Sequence, residues 1–243
     1  MILDPMIKRR KLGISMRMAQ MYWSYSHSSA FFVFFKTLLD PFYQYLYETN
    51  PLSDGDFVVD LGSGKSLFAG WQMASKALAD EGAWPLNVST PPRVWRYEPV
   101  EANPSDSRIA AALLGNEAPT KPTNLLEAHW DQADIILLID VMQYIPKERH
   151  QGLMTRIVQS LKPGGLLLMR VSDPSKTLRH QITRLGDWLD AFIRGALRQP
   201  LGNTRPKDDW RRLLVESGLS FTEIPMSRGT PFSNTLFLAT KST

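Results

Sequence analysis

The stretch Val58-Val59-Asp60-Leu61-Gly62-Ser63-Gly64-Lys65-Ser66 decides how this chain is read. An apolar run ends in an acid, and a glycine-rich turn follows at once. Beyond the turn, Leu67, Trp71, Ala74 and Leu78 recur at helical spacing. A strand, a glycine turn and a helix in that order form a nucleotide-binding unit, because the turn brings backbone N–H groups and a helix N-terminus close to a ligand.

Three loop types compete for the turn. Gly64-Lys65-Ser66 matches the end of a P-loop, and the run Ile135 to Ile139 ending in Asp140 resembles the strand that assists Mg²⁺. The P-loop needs its first glycine at position 59, where Val59 stands, and a β-branched residue inside the strand leaves too short a loop to wrap a phosphate. A dinucleotide G-x-G-x-x-G turn places its third glycine at position 67, which is Leu67. The third type, an acid-x-Gly-x-Gly turn of an S-adenosylmethionine site, fits best. Asp60 ends the first strand facing the ligand, and Gly62 and Gly64 let the backbone approach it without a Cβ clash. Ser66 stands where a third small residue, often Gly, is usual.

The next segments extend the pattern. Val94 to Tyr97 reads as a second strand ending in Glu98, whose carboxylate is placed to accept from both ribose hydroxyls. The spacing from Gly62 to Glu98 exceeds the usual ~20 residues, and the polar, Pro-containing stretch from Gly82 to Pro92 accounts for the excess as a loop. Ala133 to Ile139 is a continuous apolar strand of the kind a central parallel sheet requires, and it ends in Asp140 and Val141. A helix with Leu153, Ile157, Val158 and Leu161 on one face follows. It stops at Lys162-Pro163-Gly164-Gly165, and another strand runs from Leu166 to Val171.

The order Asp-Leu-Gly-Ser-Gly, Glu98, "LLIDVMQYIP" and "LKPGGLLLMRV" resembles the class I S-adenosylmethionine-dependent methyltransferases over about residues 55 to 241. The resemblance implies an α/β fold: a Rossmann-like, doubly wound, seven-stranded sheet closed by a C-terminal antiparallel hairpin (Phe221 to Met226 and Asn234 to Thr240), with an N-terminal helical extension. It implies residues 1–54 as that extension and 55–243 as the methyltransferase domain, with a helical insertion at about 176–197. It implies S-adenosylmethionine as cofactor, held by Asp60, Leu61, Gly62, Ser63, Gly64, Glu98, Asp140 and Val141. A third strand at Thr123 to Glu127 is expected, with Glu127 or Trp130 as an adenine contact; a loop acid and a core Trp explain these two equally well. The tail motifs "DVMQYIP", "LLMRVSD", "ITRLGDWL" and "PMSRGTPFSNTLFLA" are similar to methyltransferases of bacterial aryl-polyene and related polyketide pigment pathways. That subgroup implies a small aromatic or polyketide-like acceptor, free or bound to a carrier protein.

Tyr22, Tyr25, Gln143 and Tyr144 are the expected acceptor contacts, with Trp23, Phe31 and Trp188 completing an aromatic pocket. The competing reading of the N-terminal stripe is ordinary helix packing, with Asp40-Pro41 interrupting the second helix. No general base is assigned, because a phenol or carboxylate acceptor deprotonates readily. An RNA or protein methyltransferase and a non-catalytic cofactor-binding protein are the alternatives.

Composition narrows the rest. The 243 residues are 43% hydrophobic, enough for a substantial core. Zero cysteines exclude disulfides, thiolate metal sites and cysteine nucleophiles. His27, His129, His150 and His180 lack ligand spacing, so no metal is expected, and no G-x-S-x-G elbow supplies a hydrolase nucleophile. The net charge of +4 is concentrated at Lys8 to Lys11 and at Arg205, Lys207, Arg211 and Arg212. These are solvated helix faces or an attraction for an anionic partner such as a membrane surface. No apolar run approaches the ~20 residues that span a bilayer, and no signal peptide is recognisable, so a cytoplasmic enzyme that binds no nucleic acid and touches a membrane at most peripherally is expected.

Overall fold

The computed structural model describes residues 5–84, 88–93, 95–115, 122–172, 203–227 and 233–241. Three helices come first: α1 (Pro5–Trp23), α2 (His27–Leu39) and α3 (Pro41–Glu48). The break between α2 and α3 follows from the sequence. Pro41 cannot continue a helix but suits its first turn, and the Asp40 side chain accepts from the Phe42 N–H at 2.9 Å as the cap of α3. The alternating core then runs β1 (Phe57–Leu61), α4 (Leu67–Asp80), β2 (Arg96–Val100), α5 (Pro104–Leu114), β3 (Ala133–Ile139), α6 (His150–Ser160), β4 (Leu161–Ser172), α7 (Lys207–Glu216), β5 (Leu219–Pro225) and β6 (Asn234–Lys241).

Among the described residues the sheet has six strands in the order β2-β1-β3-β4-β6-β5. The first four are parallel, while β6 pairs antiparallel with β4 and with β5. The seven strands expected from the sequence are therefore six here. The missing one is the 123–127 candidate, which is a turn: Asn124 accepts from the Leu126 N–H through its side chain at 3.0 Å and from the Glu127 N–H through its carbonyl at 2.9 Å. Asn favours such local bonding over a strand ladder. The helix before β4 ends at Ser160, and Lys162-Pro163-Gly164-Gly165 belongs to β4 rather than to a separating loop. The expected insertion at 176–197, with Trp188 and His180, and most of the link from Ser227 to Pro231 lie outside the described residues.

Side-chain alternation along the buried strands builds two cores, one on each face. Val59, Ile136, Leu138 and Leu167 pack with Leu153 and Ile157 of α6 and Trp210 and Leu214 of α7. Val58, Ile135, Leu137 and Leu168 pack with Met18, Val33, Leu46 and Trp71 of the helices on the other side. Helix α1 lies against α4 at Gly70, where an added Cβ would stand 2.9 Å from the Tyr22 hydroxyl. The phenol of Tyr22 thereby reaches the glycine turn, donating to the Lys65 carbonyl at 2.8 Å. The aromatic stripe of α1 is thus divided: Tyr22 is core, whereas Trp23 and Tyr25 are exposed. No described helix is long and apolar enough to cross a membrane.

Candidate active site

The carboxyl ends of β1 to β4 converge on one cavity of about 690 Å³, at the edge where ligands of open α/β sheets bind. Asp60 and the turn Gly62 to Lys65 form one wall, with Val100, Glu101 and Asp106 beside them. Asn124, Leu125 and Leu126 form a second, and Ile139, Asp140, Val141 and Tyr144 a third. Helices α2 and α3 close the remainder with Phe32, Lys36, Phe42 and Tyr43, and Arg170 reaches in from β4.

The turn is more self-contained than its sequence suggests. The amides of Gly62 and Ser63 donate to the Val100 carbonyl at 2.7 and 3.2 Å, that of Gly64 to Glu101 Oε2 at 2.7 Å, and that of Ser66 to the Ser63 carbonyl at 2.9 Å. These N–H groups are spent inside the protein, not offered to a ligand. Glycine at position 62 answers to Val141: φ is +74°, and a Cβ would lie 2.5 Å from Val141 Cγ2. Gly62→Ala is accordingly expected to destabilise the chain by about 1–3 kcal/mol, an overpacking cost, read as a fall in the thermal unfolding midpoint; an unchanged midpoint would contradict this packing. Ser66 adopts a left-handed φ of +55°, explaining why a glycine is usual there.

Asp60 is buried at 6% exposure and accepts from the Tyr97 hydroxyl at 2.6 Å. Burial pushes its carboxyl up to about 7; the Tyr97 hydrogen bond opposes the rise and the charge of Glu101 adds to it. An acid poised near neutrality on a cavity wall marks a functional-site candidate.

The acid expected after the second strand is displaced. Glu98 lies within β2, in register with Val59, and is not on the wall. Burial raises its pKa, partly offset by Arg96, 3.9 Å away. The wall acid is Glu101, one residue past β2. It is fixed by two backbone donors, the Gly64 N–H and the Asn103 N–H at 2.6 Å.

Asp140 holds a left-handed φ of +59° at the end of β3, a conformation that costs a non-glycine residue about 1 kcal/mol. Arg170, 1% exposed, donates to Asp140 Oδ1 at 2.8 Å and also to its Oδ2, and its other face holds Asp40 Oδ2 at 2.9 Å. Lys36 stands 2.9 Å from Asp40 and 3.7 Å from Asp140. Burial would raise both carboxyls, but the charges of Arg170 and Lys36 outweigh it and hold both below the usual carboxylate range. This network ties the N-terminal helices to the strand ends.

Of the expected acceptor contacts, only Tyr144 is on the wall. Gln143 is buried off it, Tyr22 is committed to the turn carbonyls, and Tyr25 is exposed at 47%. Trp23 and Phe31 meet edge to face on the outer surface. The wall face of α2 is instead Phe32 and Lys36, which sequence alone does not separate from the equally apolar, outward Phe31 and Phe35. Leu61 is buried beneath the turn rather than lining the cavity. Glu127 is exposed, and Trp130 packs at the core edge under Arg156, so neither is on the wall. His150 is a core residue, stacked on Trp210 and bonded to Arg205 and the Ile145 carbonyl. Among the described residues no cluster of His, Asp and Glu is arranged to hold a metal. The C-terminal basic residues are paired: Arg211 and Lys207 with Glu223, Arg212 with Asp209.

Comparisons with known proteins bear on the family and the fold. A family model described as a methyltransferase domain matches residues 35–224. No curated protein matches in sequence. An O-methyltransferase family protein from Burkholderia thailandensis superposes with a TM-score of 0.59 at 16% identity, over 98% of this chain and 67% of that one. The mitomycin 7-O-methyltransferase MmcR superposes at 0.57 and 17% identity, over 99% of this chain and 69% of that one. Human N-acetylserotonin methyltransferase in complex with S-adenosylmethionine gives 0.54 at 14% identity, over 93% of this chain and 57% of that one.

Proposed function

We propose, from the premise that the chain belongs to the methyltransferase-domain family, that its cavity binds S-adenosylmethionine and brings a small acceptor to it. The observation that carries this is the convergence of Asp60, Ser63, Glu101 and Asn124 on one cavity, whose volume falls in the range of ligand pockets. The residues suit the group. Asp60 offers a carboxylate to the ammonium of the amino-acid end. Glu101, held by two amides on the cavity wall, is the acceptor for the ribose hydroxyls. Asn124 keeps side-chain N–H donors for the adenine, with Leu125 and Leu126 as its apolar support. Ser63 lines the same wall, and its buried hydroxyl has no protein partner.

When bound, the cofactor supplies a methyl group activated at a sulfonium centre. The chain's part is to bind, orient and exclude water. Phe32, Phe42, Tyr43 and Tyr144 make an aromatic enclosure suited to a flat apolar acceptor of the aryl or polyketide kind, free or carrier-bound. Asp140, kept ionised by Arg170 and Lys36, accepts a hydrogen bond from an acceptor hydroxyl rather than removing its proton. The small-molecule methyltransferases among the structural neighbours support this acceptor class over a macromolecule, as does the internal pairing of the C-terminal basic cluster.

Mass spectrometry of the purified chain with S-adenosylmethionine and a panel of phenols and aryl carboxylates tests the reading. Acceptor-dependent formation of S-adenosylhomocysteine and a methylated product is expected. Tyr144→Ala should raise the acceptor KM by about tenfold, the worth of ~1.4 kcal/mol of buried aromatic surface. No cofactor binding by the folded chain would overturn the reading.

A further inference from the structure

Lys65 has no P-loop to serve, since Val59 occupies the position of the loop's first glycine. It is nonetheless a lysine at 8% exposure on the cavity wall, a place where lysine is rare unless it is paired. Its Nζ lies 2.5 Å from Asp106 Oδ1 and 5.5 Å from the centre of the Phe32 ring. Its carbonyl is pinned by the Tyr22 hydroxyl. Backbone and head group are therefore both held. An ammonium has three N–H donors, and Asp106 engages one of them in this hydrogen bond.

The state of the turn gives those remaining donors a purpose. The amides of Gly62, Ser63, Gly64 and Ser66 all donate within the protein, so these four are not offered to an anionic ligand group beside the turn, and a fixed cation there would add what they withhold. Two residues of this same turn line the cavity with polar side chains: Lys65, whose ammonium lies between the wall residues Asp106 and Phe32, and Ser63, whose hydroxyl is buried without a protein partner.

We infer that Lys65, oriented by Asp106 and assisted by the Ser63 hydroxyl, recognises the carboxylate of the cofactor's amino-acid end. This rests on the cofactor reading above and adds to it a specificity residue that the acid-x-Gly-x-Gly pattern does not contain. Asp60 and Lys65 then divide the zwitterion between them, the acid facing the ammonium and the lysine facing the carboxylate. A charge-assisted bond of this kind separates ligands that carry the carboxylate from those that lack it.

Calorimetry with two ligands tests the inference. S-adenosylhomocysteine carries the amino-acid end; 5′-methylthioadenosine keeps the adenosine and the thioether but lacks it. Lys65→Met removes the ammonium. Because it also leaves Asp106 buried and unpaired, the pair Lys65→Met with Asp106→Asn is measured alongside, keeping the wall neutral. Both variants should bind S-adenosylhomocysteine about 10–100-fold more weakly than the wild type while holding 5′-methylthioadenosine within about twofold. Equal weakening of both ligands would make Lys65 a support of the turn only, and unchanged S-adenosylhomocysteine affinity would remove it from recognition; either result overturns the inference and leaves the cofactor reading standing. Failure of the wild type to bind either ligand would instead bring down the cofactor reading and this inference together.

Discussion

Replacing Arg170 by alanine is expected to lower stability at pH 7 by about 3–5 kcal/mol, the usual consequence of removing one partner from a buried charge cluster. For a chain of this size that is a fall on the order of 10 °C in the unfolding midpoint. The guanidinium is 1% exposed and compensates two carboxylates from separate parts of the fold, Asp40 before α3 and Asp140 after β3. Lys36 remains, but its side chain is one-third exposed, at 32%, and it does not replace a bidentate partner for both acids. The pH dependence has a definite sign. In the wild type both carboxyls lie below their unfolded value of about 3.9. Their contribution is therefore complete above that pH and is lost only as acid titrates the folded forms. In Arg170→Ala, burial is left less opposed and both rise. The deficit should be largest near neutrality and shrink as pH falls toward about 4, where the orphaned acids take up protons. Thermal unfolding of the two proteins across that range checks it; a constant or negligible difference would mean that the cluster does not hold the N-terminal helices to the sheet.

Asp60→Asn should produce a large and pH-dependent change in ligand affinity. Loss of one charge-assisted contact weakens S-adenosylhomocysteine binding by about 10–100-fold at pH 8. Burial lifts the Asp60 carboxyl to about 7, and a ligand ammonium favours its ionised form. Wild-type affinity should therefore fall as pH drops below 7, approaching tenfold per pH unit, and the asparagine variant should lack that slope. Stability moves the other way. An acid whose pKa is raised on folding costs stability increasingly as pH climbs from its unfolded value to the folded one, so Asp60→Asn should raise the midpoint of the ligand-free protein at pH 8. A pH-independent wild-type affinity would show that Asp60 does not meet a cation.

Much of the frame was legible because its signals are local. Asp60, Gly62, Ser63 and Gly64 announce a strand, a turn and a helix within a few residues, and β1, α4 and β3 lie where apolar periodicity places them. Asp140 and Val141 reach the wall because they end the central strand. Glu101 was missed for a specific reason. Pro99 reads as the end of a strand, yet β2 is at the sheet edge, where a residue without an N–H is tolerated. The strand runs two residues further and delivers the next acid instead of Glu98. Asn124 was obscured by the leucines after it, although an Asn that closes the polar run from Thr120 to Thr123 is itself a turn signal. The pairing of Asp40 with Arg170 spans 130 residues and leaves no local trace. Nor does periodicity reveal which face of α2 meets the cavity, since Phe31 and Phe35 are as apolar as Phe32 and yet point outward.

The most direct test of the cavity as the cofactor site is calorimetric binding of S-adenosylhomocysteine to the wild type, Glu101→Ala and Glu98→Ala. The geometry predicts measurable wild-type binding, loss of at least about tenfold in Glu101→Ala, where a charged hydrogen-bond acceptor is removed, and near-wild-type affinity in Glu98→Ala. Retained affinity in Glu101→Ala, with loss in Glu98→Ala, would contradict it.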